Sequence, residues 1–216
     1  MKNIERKLLC FMAIPLLFAC SNTEPEIAYV NMRLVYFQND SESVERYSFF
    51  VIANDEDGIE NLADLYLYHD LEGLQWHLSE KDWVVVEQDG HMWIGTRSIA
   101  MTDDEPLPRG QYRAVLMNKG GEQAARTFTF DPPARPRFAF PTCSVKDGKY
   151  AVSSNYPSNS FIGYTEQGDF VQTIKLSALN GDIGDLKLQS TVRSVGLWAE
   201  DSSYSTSVLL DALSIK

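Results

Sequence analysis

The sequence predicts an all-β protein, two β-sandwiches in tandem behind a removable leader. Three observations predict it. Apolar and aromatic residues recur with period two in short runs, at the roughly 8–12-residue spacing of sandwich strands. Turn signals fall between the runs: Gln88-Asp89-Gly90, Asn118-Lys119-Gly120-Gly121, Asp147-Gly148 and Glu166-Gln167-Gly168-Asp169. No stretch carries the apolar period of a long amphipathic helix. The composition agrees, with 44% apolar and 23% charged residues, as in a globular chain.

Residues 1–19 read as an address and not as part of the fold. Lys2, Arg6 and Lys7 precede the apolar run Leu8 to Ala19, the pattern of a secretory signal peptide. The run is shorter than the roughly 18 residues that span a bilayer, and Pro15 interrupts it. It ends in Leu17-Phe18-Ala19-Cys20, which resembles the lipobox of bacterial lipoproteins. Phe18 stands where a small residue is usual, a change that permissive spirochaete-type lipoboxes accept. The resemblance implies cleavage before Cys20, a diacylglyceryl thioether on its sulfur and acylation of its amino group. The other reading is a secreted protein with an unmodified Cys20. Two or three acyl chains hold a protein at a membrane stably. Residues 20–26, polar and containing Pro25, form the tether.

The first sandwich covers 27–131. Ile27 to Phe37 alternates, and Tyr47 to Ala53 is a β-branched and aromatic run. In Leu62 to His69, residues Leu65, Leu67 and His69 share one face and Tyr66 and Tyr68 the other. Leu74, Trp76 and Leu78 form one apolar face, and Trp83 to Val86 and Met92 to Ile94 are short strands. Tyr112 to Met117 and Ala125 to Phe130 flank the next turn. The segment Gly110-Gln111-Tyr112, the strand through Val115, the turn through Gly121 and the alternating Phe128-Thr129-Phe130 resemble the last two strands of bacterial immunoglobulin-like and fibronectin-III-like modules. That resemblance implies a corner tyrosine at Tyr112, ring in the core and hydroxyl on backbone.

A linker is expected at 132–137, where Pro132, Pro133 and Pro136 end a strand and stiffen the chain. A second small sandwich is expected over 138–216. Its strands are read at Phe138 to Phe140, Tyr150 to Ser153, Phe161 to Thr165, Phe170 to Leu176, Leu186 to Leu188, Val192 to Ala199 and Ser205 to Leu210, with Asn180 to Gly184 as loop. One continuous β fold through both halves is the alternative.

Charge and motifs narrow the function. The formal net charge is −11, from 30 acids and 19 bases. Such a chain is a poor counterion for phosphate, so nucleic-acid binding is not expected. Repulsion by anionic headgroups leaves the lipid, not electrostatics, to hold the membrane. No nucleophile elbow, Walker loop, dinucleotide fingerprint or zinc-protease helix occurs, so no catalytic residue and no cofactor is assigned. Asp55 and Asp57 sit in an acidic loop with alternate oxygens. It fails as an EF-hand and reads first as an Asx-type turn, second as a weak calcium site. His69, His77 and His91 have no metal-ligand spacing, and no metal site is assigned. Cys143 is the one thiol left after processing and reads as a small hydrophobe. Trp76 and Trp93 are assigned to the core, and Tyr66 and Tyr68 to an exposed face that suits sugars or peptides. The expected function is a non-catalytic protein-interaction or structural module of a bacterial envelope, lipid-anchored to a membrane, by preference the outer one, with a protein partner. A carbohydrate or small-ligand module is the first alternative and a hydrolase with an unrecognised site the second.

Overall fold

The computed structural model describes residues 23–38 and 43–215; the leader and Cys20 lie outside them. In the first half, strands run over Glu26–Gln38 (β1), Ser43–Asn54 (β2), Leu62–His69 (β3), Leu74–Ser79 (β4), Val84–Gln88 (β5), His91–Ile99 (β6), Gly110–Asn118 (β7) and Gln123–Phe130 (β8). The second half adds Thr142–Lys146 (β9), Lys149–Ser153 (β10), Ser158–Tyr164 (β11), Phe170–Lys175 (β12), Asn180–Asp182 (β13), Ser194–Asp201 (β14), Thr206–Leu210 (β15) and Leu213–Ser214 (β16). Helix among the described residues is confined to short 3-10 turns.

The strand order shows the fold. The sheet β4-β3-β7-β8 packs on the run β1-β2-β6-β5. Lettered A to G in chain order with β4 as C′, these are C′CFG on ABED, the immunoglobulin-like arrangement. The second half repeats it without strand D: β9-β10-β13 is ABE and β12-β11-β14-β15 is C′CFG. Tyr112 opens strand F, is buried, and donates its hydroxyl to the carbonyl of Pro108. Tyr47 donates to the same oxygen at 2.6 Å. Beside them Arg109 forks onto Glu45 at 2.7 and 2.8 Å. This hydrogen-bonded pair holds the Arg109 proton more firmly than usual, against the effect of burial.

The two sandwiches share one sheet. β1, strand A of the first, pairs in parallel with β15, strand G of the second, from Leu34 opposite Thr206 to Gln38 opposite Leu210. The result is a run β12-β11-β14-β15-β1-β2-β6-β5, with β16 attached to β14. Segment 132–137 has no strand and lies against this seam, where Tyr36 donates to the Pro133 carbonyl at 3.2 Å.

Three cores follow from this layout. Leu34, Phe49, Val51, Leu65, Leu67 and Leu116 fill the first sandwich, and Tyr156, Ala199 and Val208 of the second half extend it. Tyr150, Phe161, Val195 and Leu197 fill the second. Val35, Ile162 and Leu209 form the third, on the opposite face of the shared sheet. Each fully buried aliphatic side chain contributes roughly 1.5–3 kcal/mol of transfer free energy.

Three readings of the second half are corrected, and one strand there was not expected. Phe138 to Phe140 is not a strand; Pro136 and Pro141 flank it, and its rings act as plugs. Phe138 packs 5.2 Å from Tyr156 and Phe140 6.1 Å from Tyr36. Leu186 to Leu188 is not a strand either, because a 3-10 turn ends there and Lys187 is left-handed at φ 51°. Conversely, Asn180–Asp182 pairs with β10 although it reads as loop, and Thr142–Lys146 is a strand with no expectation behind it.

Candidate binding cleft

The shared sheet is strongly curled. β6 and β12 lie six strand steps apart in it, a distance of about 29 Å in a flat sheet at 4.8 Å per step. Yet the Arg97 guanidinium of β6 sits 5.1 Å from the ring centre of Phe170 on β12. The curl makes a trough on the face opposite the two sandwich cores. Its floor is the third core, and above that floor opens a cavity of about 520 Å³.

Alternation places the lining. On β1 the even residues Met32, Leu34 and Tyr36 enter the first core, so Asn31 and Arg33 face the trough. The same rule turns Ser48 and Phe50 of β2, Trp93 and Arg97 of β6, and Trp198 and Glu200 of β14 into it. Arg33 reaches Glu200 at 3.1 Å, while its Nη1 is buried without a partner. Burial lowers the Arg33 pKa, against the pull of Glu200 and Asp201. Burial also works against the charge of Glu200. The Ser202 hydroxyl, Arg33 and the Trp198 indole N–H, which donates at 3.1 Å, outweigh it and hold the carboxyl below the ordinary carboxylate range.

Arg97 differs from Arg33. Its guanidinium lies over the rings of Phe50, at 5.4 Å, and Phe170, at 5.1 Å. Among the described residues it has no carboxylate and no hydrogen-bond acceptor, and burial lowers its pKa. Trp93 completes this end, edge-on to Tyr29 at 5.9 Å. The assignment of Trp93 to the core is therefore corrected. β6 turns Ile94 and Ile99 into the first core, and Trp93 lies on the trough side. Trp76 does pack on the first core, donating its indole N–H to the Ala100 carbonyl at 2.8 Å. One rim of the trough is β5, a free edge whose Val84 and Val85 are 40% and 48% exposed.

The other residues singled out by the sequence lie elsewhere. Tyr66 and Tyr68 are half-buried on the outer face of β3, with Leu65 and Leu67 buried beneath. Their rings stack on each other at 5.9 Å; His77 covers Tyr66 at 4.6 Å and Arg113 covers Tyr68 at 4.4 Å. The ladder spends its aromatic faces on itself. Asp55 accepts the Asp57 amide at 2.9 Å and the Asn61 side chain at 3.1 Å, an Asx turn that occupies the carboxylate. Among the described residues no three of His, Cys, Asp or Glu gather into a metal-holding group. His69 is buried against Tyr112, with Nε2 3.2 Å from the Arg109 carbonyl. His77 meets Asp64 at 2.5 Å on the surface. Cys143 is free and packs on the second core, its thiol pushed up to about 11 by burial. Cys20, the lipidation residue, lies outside the described residues.

Sequence reasoning missed Arg33, Arg97, Phe50, Trp198 and Glu200. One signal was present. In Leu34-Val35-Tyr36 and Phe49-Phe50-Val51-Ile52 the polar alternation lapses, the mark of strands covered on both faces.

No protein-family model and no curated protein sequence matches the chain. Among solved structures it is similar to dimeric latent PorU from Porphyromonas gingivalis. The TM-score is 0.36 and the identity 11%, over 89% of this chain but 21% of that one. It is also similar to the complex described as Dpr11 IG1 bound to DIP-gamma IG+IG2. There the TM-score is 0.23 and the identity 14%, over 88% of this chain and 98% of that one. At these scores neither likeness bears on function; the immunoglobulin-like assignment stands on strand order.

Proposed function

We propose that this chain is a non-catalytic protein-interaction module of a bacterial cell envelope, held at a membrane by lipid on Cys20. The anchor is supported by the lipobox resemblance at Leu17 to Cys20 and by the position of β1, whose first residue Glu26 follows close behind. The observation that carries the interaction reading is the β5 edge. Among the described strands it pairs with β6 alone, and its Val84 and Val85 meet solvent. Such an edge takes a partner's strand by main-chain pairing.

Two experiments test this. Cells expressing the full chain and fed an alkynyl palmitate label the protein, and Cys20→Ala abolishes the label; equal labelling of both refutes the anchor. A photoreactive residue at Val85 crosslinks a discrete partner in intact cells, and Val85→Pro in a separate strain removes the partner from co-purification. Crosslinks no different from those of a photoreactive residue at Leu71, exposed on the turn after β3, refute the edge.

A second reading, a small-ligand module, is favoured by the trough rather than by Tyr66 and Tyr68, whose ring faces are occupied.

A further inference from the structure

We propose that the trough binds a small, ring-bearing monocarboxylate and that Arg97 takes its carboxylate. The proposal rests on the small-ligand reading of the trough and is independent of the lipid anchor.

Among the described residues Arg97 is a cation without an anion. A guanidinium taken partly out of water wants an anion, and a planar fork suits a carboxylate. Arg97 has none: the rings of Phe50 and Phe170 lie against it, and the one polar group that acts on it is the neutral Tyr164 hydroxyl. Those rings hold the group in place, so little side-chain freedom remains to be lost on binding. Arg33 is committed to Glu200, beside which Lys175 also lies, and Glu87 of β5 stands on the rim. Arg33, Arg97 and Lys175 stand against Glu200, Asp201 and Glu87, three charges of each sign, so no excess positive charge gathers for a phosphate dianion and the unpaired Arg97 is left to meet one carboxylate. The acidic remainder of the chain repels anions at long range, but salt screens that field beyond about 8–10 Å.

About 520 Å³ lies within the 300–1,000 Å³ range of small-molecule pockets. Trp93 and Trp198 add flat walls to the same cavity, which suit a ring and not a bare alkyl acid.

The test is calorimetric titration of the full chain with phenylacetate and with glucuronate, each beside its neutral counterpart, phenylacetamide and glucose. The two acids separate an aromatic from a sugar source of the carboxylate. The expected result is saturable binding of at least one acid, with its neutral counterpart at least tenfold weaker. Arg97→Gln lowers that affinity tenfold or more at an unchanged melting temperature, and Arg97→Lys falls between. The proposal is overturned if neither acid saturates, if the neutral compound binds as tightly, or if Arg97→Gln binds like the native chain. Should Arg97→Gln fail to fold, the acid-against-neutral comparison on the native chain decides. Equal palmitate labelling of the native chain and Cys20→Ala would refute the anchor and leave this result untouched.

Discussion

The corner tyrosine gives the fold its sharpest energetic prediction. Pro108 offers one carbonyl oxygen to two hydroxyls, from Tyr112 and from Tyr47. The two rings meet edge-on at 5.9 Å and both are buried. Changing either to Phe keeps the ring and removes one donor, while the other hydroxyl still satisfies the carbonyl. Each single change should cost about 1 kcal/mol, the net worth of one hydrogen bond. Removing both leaves the carbonyl without a donor, which adds about 1–3 kcal/mol of unmet desolvation. The double variant should therefore lose more than the sum of the singles. Urea unfolding of the full chain at neutral pH, followed by circular dichroism, gives the three values and their coupling. Additivity within about 0.5 kcal/mol would show that the two hydroxyls act independently and would refute the shared-acceptor geometry.

Other outcomes follow from single positions. A Cβ on Gly95 would lie 2.0 Å from the Phe49 carbonyl oxygen, so Gly95→Ala should cost at least about 3 kcal/mol, the upper end of overpacking penalties; a melting temperature within error of the native one would be inconsistent with the β2–β6 contact. Val35→Ala removes two methyl groups from a side chain with no exposure, at about 2 kcal/mol with its cavity; a loss below about 0.5 kcal/mol would mean the third core is not closed. Glu200 has a lowered folded pKa, so its contribution is complete above the unfolded carboxylate pKa and is lost as pH falls through the folded value. Glu200→Gln should flatten the acid limb of the stability profile, and an unchanged limb counts against the Arg33 and Ser202 contacts. The raised Cys143 thiol, at about 11, should react slowly with a disulfide reagent at pH 8 when folded and quickly in urea; equal rates would place it in solvent.

The strand pattern was legible where one face is dry and the other wet. Leu62 to His69 alternates cleanly, and β3 occupies those bounds with Leu65 and Leu67 inward. The hairpin at Asp89-Gly90 was legible because both residues take positive φ, 53° and 75°. β13 was not, because Asn180-Gly181-Asp182 carries no apolar side chain and is held only by its pairing with β10. The aromatic pair Phe138 and Phe140 misled because alternation identifies buried side chains, not ladder hydrogen bonds. The trough was out of reach for a stronger reason. It depends on the parallel pairing of β1 with β15 across most of the chain length, and no local pattern encodes a register between such distant strands. Trp93 looked like a core residue because it sits beside Ile94 in a strand covered on both sides; only the fusion of the sheets decides which cover is protein and which is cavity.

The curl of the shared sheet underlies the trough, the cleft and its ligand class, and one distance tests it. Spin labels at Ser98 and Asp169, exposed neighbours of Arg97 and Phe170, report it in the full chain with Cys10, Cys20 and Cys143 changed to Ser. The account predicts strong dipolar broadening from a separation well below the about 29 Å of a flat sheet. A separation at or above that value, or two labels that do not couple, would contradict it.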